Sequence, residues 1–217
     1  MTVKKLYGSR GCLATMRVLA SLFEHELDFE FIPIDLEAAD HKKQPFLSLN
    51  PFRELPVLQD EDLIVFESTT IMRYIFHHYP KLGKEQVYAN PKLQGIAAAW
   101  IDVEDHEFEP KATKLIREVV YKPKNGLATD KAVVAEEEAE LAKVLDVYEE
   151  RLKSSKYLGG DKFTAADLTH LPSLYYLMGT PLKSIFDDRP NVSAWCAAIL
   201  TRPAWTMVVE MVQETKP

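Results

Sequence analysis

Apolar positions in the first 80 residues alternate between short unbroken runs and helical spacing. Val3 to Tyr7 is a short run stopped by Gly8 and predicts a strand. From Gly11 to about His25, Met16, Leu19 and Phe23 recur at i, i+3 and i+7, the spacing of one helix face. Phe29 to Ile34 again reads as a strand, and a β-α-β start makes the two strands parallel. A polar stretch follows, with a short helical piece near Lys43 to Leu47. Val57 to Gln59 and Leu63 to Phe66 flank Asp60-Glu61-Asp62 and predict a hairpin. Ser68, the expected N-cap, precedes a helical run through Ile71, Met72 and Ile75. The order βαβ then ββα predicts a mixed four-stranded sheet with helices packed on it.

Beyond this the strand pattern stops. Pro80 to Pro91 holds Gly83, several charges and two prolines, and reads as a linker. Ile96, Trp100 and Val103 share one expected helix face, and Leu141, Val144, Leu145, Tyr148 and Leu152 form a long amphipathic stripe. Leu168, Leu171 and Tyr175 give another. Thr164 and Asp167 have capping-box spacing, and a last helix is expected from Pro203. The predicted organisation is an α/β domain over 1–80, a linker over 81–91 and an all-helical domain over 92–217.

Composition narrows the classes. The 217 residues are 47% hydrophobic and 27% charged, with a formal net charge of -7. That is a globular composition, and its acidic balance argues against nucleic-acid or anionic-membrane partners. No apolar stretch has the length of a signal peptide core or a membrane span. Cys12 and Cys196 form neither a disulfide framework nor a metal-ligand spacing, so a reducing cytosolic setting is expected and no metal is. His106 among Glu104, Asp105 and Glu107, and the pair His77-His78, point apart on a helix and make poor chelators.

Three groups of residues remain as candidate chemistry. Cys12 follows a strand and a short turn and opens a helix, where backbone N–H groups and the helix dipole favour a thiolate. The alternative is a small core residue, the common fate of unpaired cysteine. Three residues on stands Thr15, so any disulfide made by Cys12 is with a second molecule. Pro56 precedes a short strand; a cis bond there would turn the Leu55 backbone outward, and an ordinary strand-entry proline is the other reading. Glu67 and Ser68 stand at a helix start, where Glu67 suits an ammonium and the helix end a carboxylate. His41 and Lys42 could hold a second carboxylate, or form a solvated loop. Together the groups describe a thiol peptide with an amino-acid head, an extended backbone and a terminal carboxylate, which is glutathione.

These residues resemble the glutathione transferase superfamily, and its plant phi class in particular. The resemblance rests on Ala14 to Ala20, Asp40 to Lys42, Leu49 to Pro56, Phe66 to Ser68, Phe163 to Pro172 and Arg202 to Trp205. It implies a thioredoxin-like N-terminal domain followed by an all-helical bundle. It implies that His41 and Lys42 contact the glycyl carboxylate of glutathione, that Glu54 and the Leu55 backbone hold the middle of the tripeptide beside a cis Pro56, and that Glu67 and Ser68 bind the γ-glutamyl end. It also implies a cytosolic homodimer that takes glutathione as a substrate.

Three positions depart from the phi pattern. Cys12 replaces the usual serine, as in thiol transferases, dehydroascorbate reductases and the lambda- and omega-type enzymes. Arg53-Glu54 replaces Gly-Gln, and Ser68-Thr69-Thr70 replaces Ser-Arg-Ala. The resemblance therefore carries three functions. The first is cysteine-dependent thiol transfer, deglutathionylation or dehydroascorbate reduction, with a disulfide as second substrate. The second is conventional conjugation of glutathione to small hydrophobic electrophiles. The third is a non-catalytic carrier of flavonoid-like molecules, suggested by Trp100, Phe108, Tyr175, Tyr176 and Met178, which core packing would equally explain.

Overall fold

In the computed structural model, which describes residues 3–80 and 87–214, the chain forms two compact units, 1–85 with 203–217 and 86–202. In the first, β1 (Lys4–Gly8), α1 (Leu13–Glu24) and β2 (Phe29–Pro33) form the expected parallel β-α-β. The next segment contains a single 3-10 turn (Asp40–Lys42) and the four-residue α2 (Phe46–Leu49). Strands β3 (Val57–Asp60) and β4 (Leu63–Phe66) make the hairpin, whose turn places Glu61 at φ 55. The unit continues with α3 (Ser68–His78). The sheet order is β2-β1-β3-β4, with β3 antiparallel to β1.

Helix α1 is clamped from several sides, because Met16, Val18, Leu19, Ala20 and Leu22 are all fully buried. One of its neighbours is α3, through Ile71, Met72 and Ile75. The hairpin is tied to the far end of α3 by Asp60, which accepts the hydroxyls of Tyr74 (2.8 Å) and Tyr79 (2.5 Å) and lies 3.8 Å from Lys4 Nζ. Burial, reinforced by that carboxylate, pushes both phenols above the usual tyrosine range.

The second unit opens with one long helical run: α4 (Pro91–Val103), a π-helical turn (Glu104–Phe108), α5 (Glu109–Ile116), a second π turn (Arg117–Tyr121) and α6 (Lys122–Lys124). Each π turn comes just before a proline, Pro110 or Pro123. A proline inside a helix lacks an N–H and crowds the carbonyl four residues back, and a widened turn removes that clash. Next come α7 (Lys131–Lys153), α8 (Ala165–Leu168), α9 (Leu171–Leu177), α10 (Lys183–Asp187) and α11 (Pro190–Leu200). The expected α7 stripe is buried throughout. The final helix, α12 (Pro203–Gln213), belongs to the first unit.

Four expectations need correction. Ile96, Trp100 and Val103 do not form the core face of α4: Ile96 is 42% exposed, and Ala97 and Ile101 are buried instead. Three large side chains outweighed one alanine in the pattern, although a small residue marks where a helix packs closely. Ser68 is not the N-cap of α3; Glu67 holds that position and its carbonyl accepts the Ile71 N–H (2.9 Å). The last helix, expected within the 92–217 domain, instead buries its face of Ala204, Trp205 and Val208 and packs on α1. Periodicity reveals an apolar face without revealing its partner. Finally, Phe108 is fully buried, stacked on Tyr148 with ring centroids 6.0 Å apart, so it is core. Of the expected linker, 81–86 lies outside the described residues. Among the described residues no single helix is long and apolar enough to cross a membrane, and no group of three or more His, Cys, Asp or Glu could hold a metal ion.

Candidate functional site

Strand register gathers the candidate residues. Tyr7 stands opposite Val57, Val57 opposite Phe66, and Gly8 opposite Pro33. The chain therefore leaves β1 toward Cys12, leaves β2 toward His41 and Lys42, enters β3 from Glu54, Leu55 and Pro56, and leaves β4 toward Glu67 and Ser68, all at one end of the sheet. Residues scattered over 57 positions are brought to one edge by four strand ends.

The Cys12 turn is compact. The Cys12 N–H donates to the Ser9 carbonyl (3.0 Å), and the Cys12 carbonyl accepts the Met16 N–H (2.9 Å). A Cβ on Gly8 would lie 2.5 Å from Thr15 Cγ2, so only glycine lets α1 begin this close to β1. Cys12 holds the N-cap position with φ -80 and ψ 125, but its side chain makes no capping bond. It is a free, half-buried thiol at the positive end of a helix. Cys196 contrasts with it: burial, then the nearby Asp187 carboxylate, push its thiol far above the usual range.

The segment before β3 is built by Asn50, which is 1% exposed. Its side chain donates to the Glu54 carbonyl (2.9 Å) and accepts the Phe52 N–H (2.9 Å). The Leu55–Pro56 bond is cis, as is Gln44–Pro45, which the sequence reading did not single out. Pro56 is buried, Leu55 half-buried and Glu54 exposed. Arg53 sits at φ 65, in the left-handed region that favours glycine. Placing a side chain there costs roughly 1–2 kcal/mol, and glycine's extra freedom in the unfolded chain offsets about half of that. Arg53→Gly is therefore expected to stabilise the fold by about 0.5 kcal/mol, read as a higher urea midpoint. A lower midpoint would show that Arg53 makes up its strain elsewhere.

At the third strand end Glu67 is exposed and takes φ 70 and ψ 114, another uncommon conformation at a helix start. Ser68 is 8% exposed, and its Oγ accepts from Arg17 Nη1 at 3.4 Å. Arg17 comes from α1 and is only 5% exposed. A guanidinium thus sits within the core where α3 begins. Neither Arg17 nor Asn50 stands among the candidate residues expected from sequence; a charge inside the otherwise apolar α1 run marks Arg17 as unusual but does not name its partner. At the second strand end His41 is half-buried, with its Nδ1 buried and unpaired, while Lys42 is exposed.

The second unit is organised around Asp167, which is fully buried. With Thr164 it forms the capping box of α8. Its carboxylate accepts the Leu158 N–H (2.9 Å), the Trp195 indole N–H (2.9 Å), and the N–H (3.0 Å) and hydroxyl (3.3 Å) of Thr164. Beside it, His170 Nδ1 lies 2.9 Å from the Ala166 carbonyl, which can only accept, so Nδ1 carries the proton and Nε2 accepts from the Tyr148 hydroxyl (2.9 Å). Of the remaining residues considered for a carrier role, Trp100, Tyr175, Tyr176 and Met178 are half-buried, with Tyr121 and Tyr176 ring centroids 5.6 Å apart.

Comparison with known proteins agrees with this architecture. The glutathione S-transferase N-terminal domain matches residues 2–77, and the glutathione S-transferase C-terminal domain matches 108–203. A glutathione S-transferase of Hyoscyamus muticus is 54% identical over 209 residues, covering 96% of this chain and 99% of that one. The crystal structure of glutathione transferase F7 from Populus trichocarpa superposes with a TM-score of 0.92 at 41% identity, covering 97% of this chain and 99% of that one. A serine-to-cysteine mutant of poplar glutathione transferase F1 gives a TM-score of 0.92 at 34% identity, covering 99% and 100%. The chain belongs to the glutathione S-transferase family: it is a phi-class-like glutathione transferase, with a thioredoxin-like unit carrying a four-stranded sheet and a helical C-terminal domain.

Proposed function

We propose that this transferase holds glutathione at the shared end of the sheet and uses Cys12 to exchange it between thiols. The single observation that carries this reading is the free, half-buried Cys12 thiol at the N-terminus of α1, facing no capping partner of its own. The Leu55 backbone supports the ligand's placement: neither its N–H nor its carbonyl is hydrogen-bonded among the described residues, so both are open to an extended peptide. In this reading His41 and Lys42 take the glycyl carboxylate, Glu54 and Leu55 hold the middle of the tripeptide next to Pro56, and Glu67 and Ser68 take the γ-glutamyl group. The unpaired Nδ1 of His41 suits that task.

The exchange consumes one glutathione mixed disulfide and one further glutathione, and needs no other reagent. The Cys12 thiolate attacks the glutathione sulfur of a mixed disulfide; the S–S bond breaks, and the other thiol leaves as thiolate and is protonated by water. A second glutathione thiolate then attacks the glutathione sulfur now bound to Cys12. Oxidised glutathione leaves and the Cys12 thiolate returns.

Conjugation is the second reading, favoured by the chain's likeness to plant glutathione S-transferases. Here the same cradle aligns the glutathione thiolate with a small hydrophobic electrophile, and Cys12 only donates a hydrogen bond to it. A thiol donates more weakly than a hydroxyl, so conjugation runs below the level a serine would give. A cytosolic homodimer is the working form inferred from the family. Native mass spectrometry after exposure to oxidised glutathione tests the reading: the expected spectrum is a dimer carrying glutathione on Cys12, removed by reduced glutathione. A protein that stays unmodified under those conditions would exclude the exchange.

A further inference from the structure

The turn that sets Cys12 is also fastened to the end of α12. Cys12 N–H and the Ser9 carbonyl close a four-residue turn in which Arg10 is the first central residue. Arg10 crosses to the last turn of α12, where Nη1 donates to the Met211 carbonyl at 3.3 Å and lies 3.6 Å from Glu214 Oε2. Its guanidinium also lies over the Phe31 ring, 5.5 Å from the centroid. The last carbonyls of a helix have no partner within it, and a cation there satisfies them and the negative end of the dipole. Arg10 is therefore a C-terminal cap for α12 supplied from the turn that aims Cys12.

We propose that Arg10 is a positioning residue for the Cys12 thiol, and that it couples the seating of α12 to the turn at the mouth of α1. The inference rests on the reading of Cys12 as the reacting sulfur. The coupling is local: Arg10 and Gly11 are the two central residues of the turn that the Cys12 N–H closes on the Ser9 carbonyl, so a shift of Arg10 is passed to Cys12 two residues on. The strap is built from a guanidinium, one backbone carbonyl and one exposed carboxylate, so its effect is a few-fold rather than all-or-none.

The test measures alkylation of Cys12 by iodoacetamide together with kcat and KM for glutathione in Arg10→Met, Glu214→Gln and the double variant; Cys196, buried, stays silent. Arg10→Met is expected to slow alkylation and lower kcat by about 3-fold, with KM for glutathione unchanged, and Arg10→Lys to recover part of the loss. Glu214→Gln separates the strap from plain electrostatics. Removing the negative charge that pairs with Arg10 would by itself favour thiolate chemistry, whereas loosening the strap slows it. The slower Glu214→Gln enzyme, and a double variant no slower than Arg10→Met, support the proposal. A Glu214→Gln enzyme as fast as the parent or faster, or two effects that simply add, would overturn it. Because alkylation reads the thiol whatever the reaction, a failed strap is distinguishable from a failed role for Cys12, which is read by the alanine variant.

Discussion

Cys12→Ala is expected to lower the rate of glutathione release from a small mixed disulfide by at least about 100-fold, because the atom that forms the covalent intermediate is gone. Nothing near the turn replaces it. Cys196 is 3% exposed and its thiol is held protonated by burial, so it cannot serve as a second nucleophile. The same substitution is expected to reduce conjugation to an aryl halide by less than about 10-fold, since the first-turn N–H groups of α1 remain to face the glutathione thiolate. Cys12→Ser is expected to move the two activities in opposite directions: exchange is lost, and conjugation rises because a hydroxyl is the better donor. Steady-state rates of the three proteins on both substrates decide the matter. Full exchange activity in the alanine variant would show that bound glutathione carries the reaction alone.

The second large effect lies outside the site. Asp167→Ala leaves two buried N–H groups from Leu158 and Thr164, the Trp195 indole N–H and the Thr164 hydroxyl without their acceptor. Each stranded donor costs about 1–3 kcal/mol, and some relaxation of the Thr164 hydroxyl is possible, so a loss of roughly 4 kcal/mol is expected in denaturant unfolding. An effect below about 1 kcal/mol would mean that water reaches these donors once the carboxylate is gone. The pH dependence has a definite sign. Burial, the largest influence, pushes the Asp167 carboxyl up to about 6, against the donors that favour its ionised form. The folded protein therefore binds a proton more readily than the unfolded chain. This group's contribution is fullest below about pH 4, where both states are protonated, and is lost as pH rises through about 6. The stability difference between the native protein and Asp167→Ala is thus expected to narrow between about pH 4 and pH 7.

The two units differ in how much of each is legible in the sequence. The Asp167 box could be read directly, because Thr164 and Asp167 are three residues apart and a helix start is a local event. Cys12 was equally readable as a helix-opening thiol from Gly8, Gly11 and the apolar spacing behind them. Arg17 was not: its importance depends on α3 arriving over α1, and nothing within a few residues of Arg17 announces Ser68. Asn50 was hidden in the same way, since its side chain works on the backbone of Phe52 and Glu54 and leaves no periodic trace. Arg53 at φ 65 shows the reverse, a residue type that disfavours the left-handed backbone which the fold imposes on it.

By itself the sequence determined the local units of this protein: the β-α-β start, the hairpin, the helical second half, the capping box and the thiol at a helix entrance. It did so because strand alternation, helical spacing and caps are short-range physics, set by neighbours within a turn or two. Only the tertiary structure decided that four strand ends share one end of the sheet, that α12 covers α1 instead of joining the helical unit, and that Arg10 grips the end of α12 from the turn before Cys12. Those outcomes follow from which apolar faces bury one another and which unsatisfied carbonyls and cations then lie within reach, and no window of sequence contains both partners.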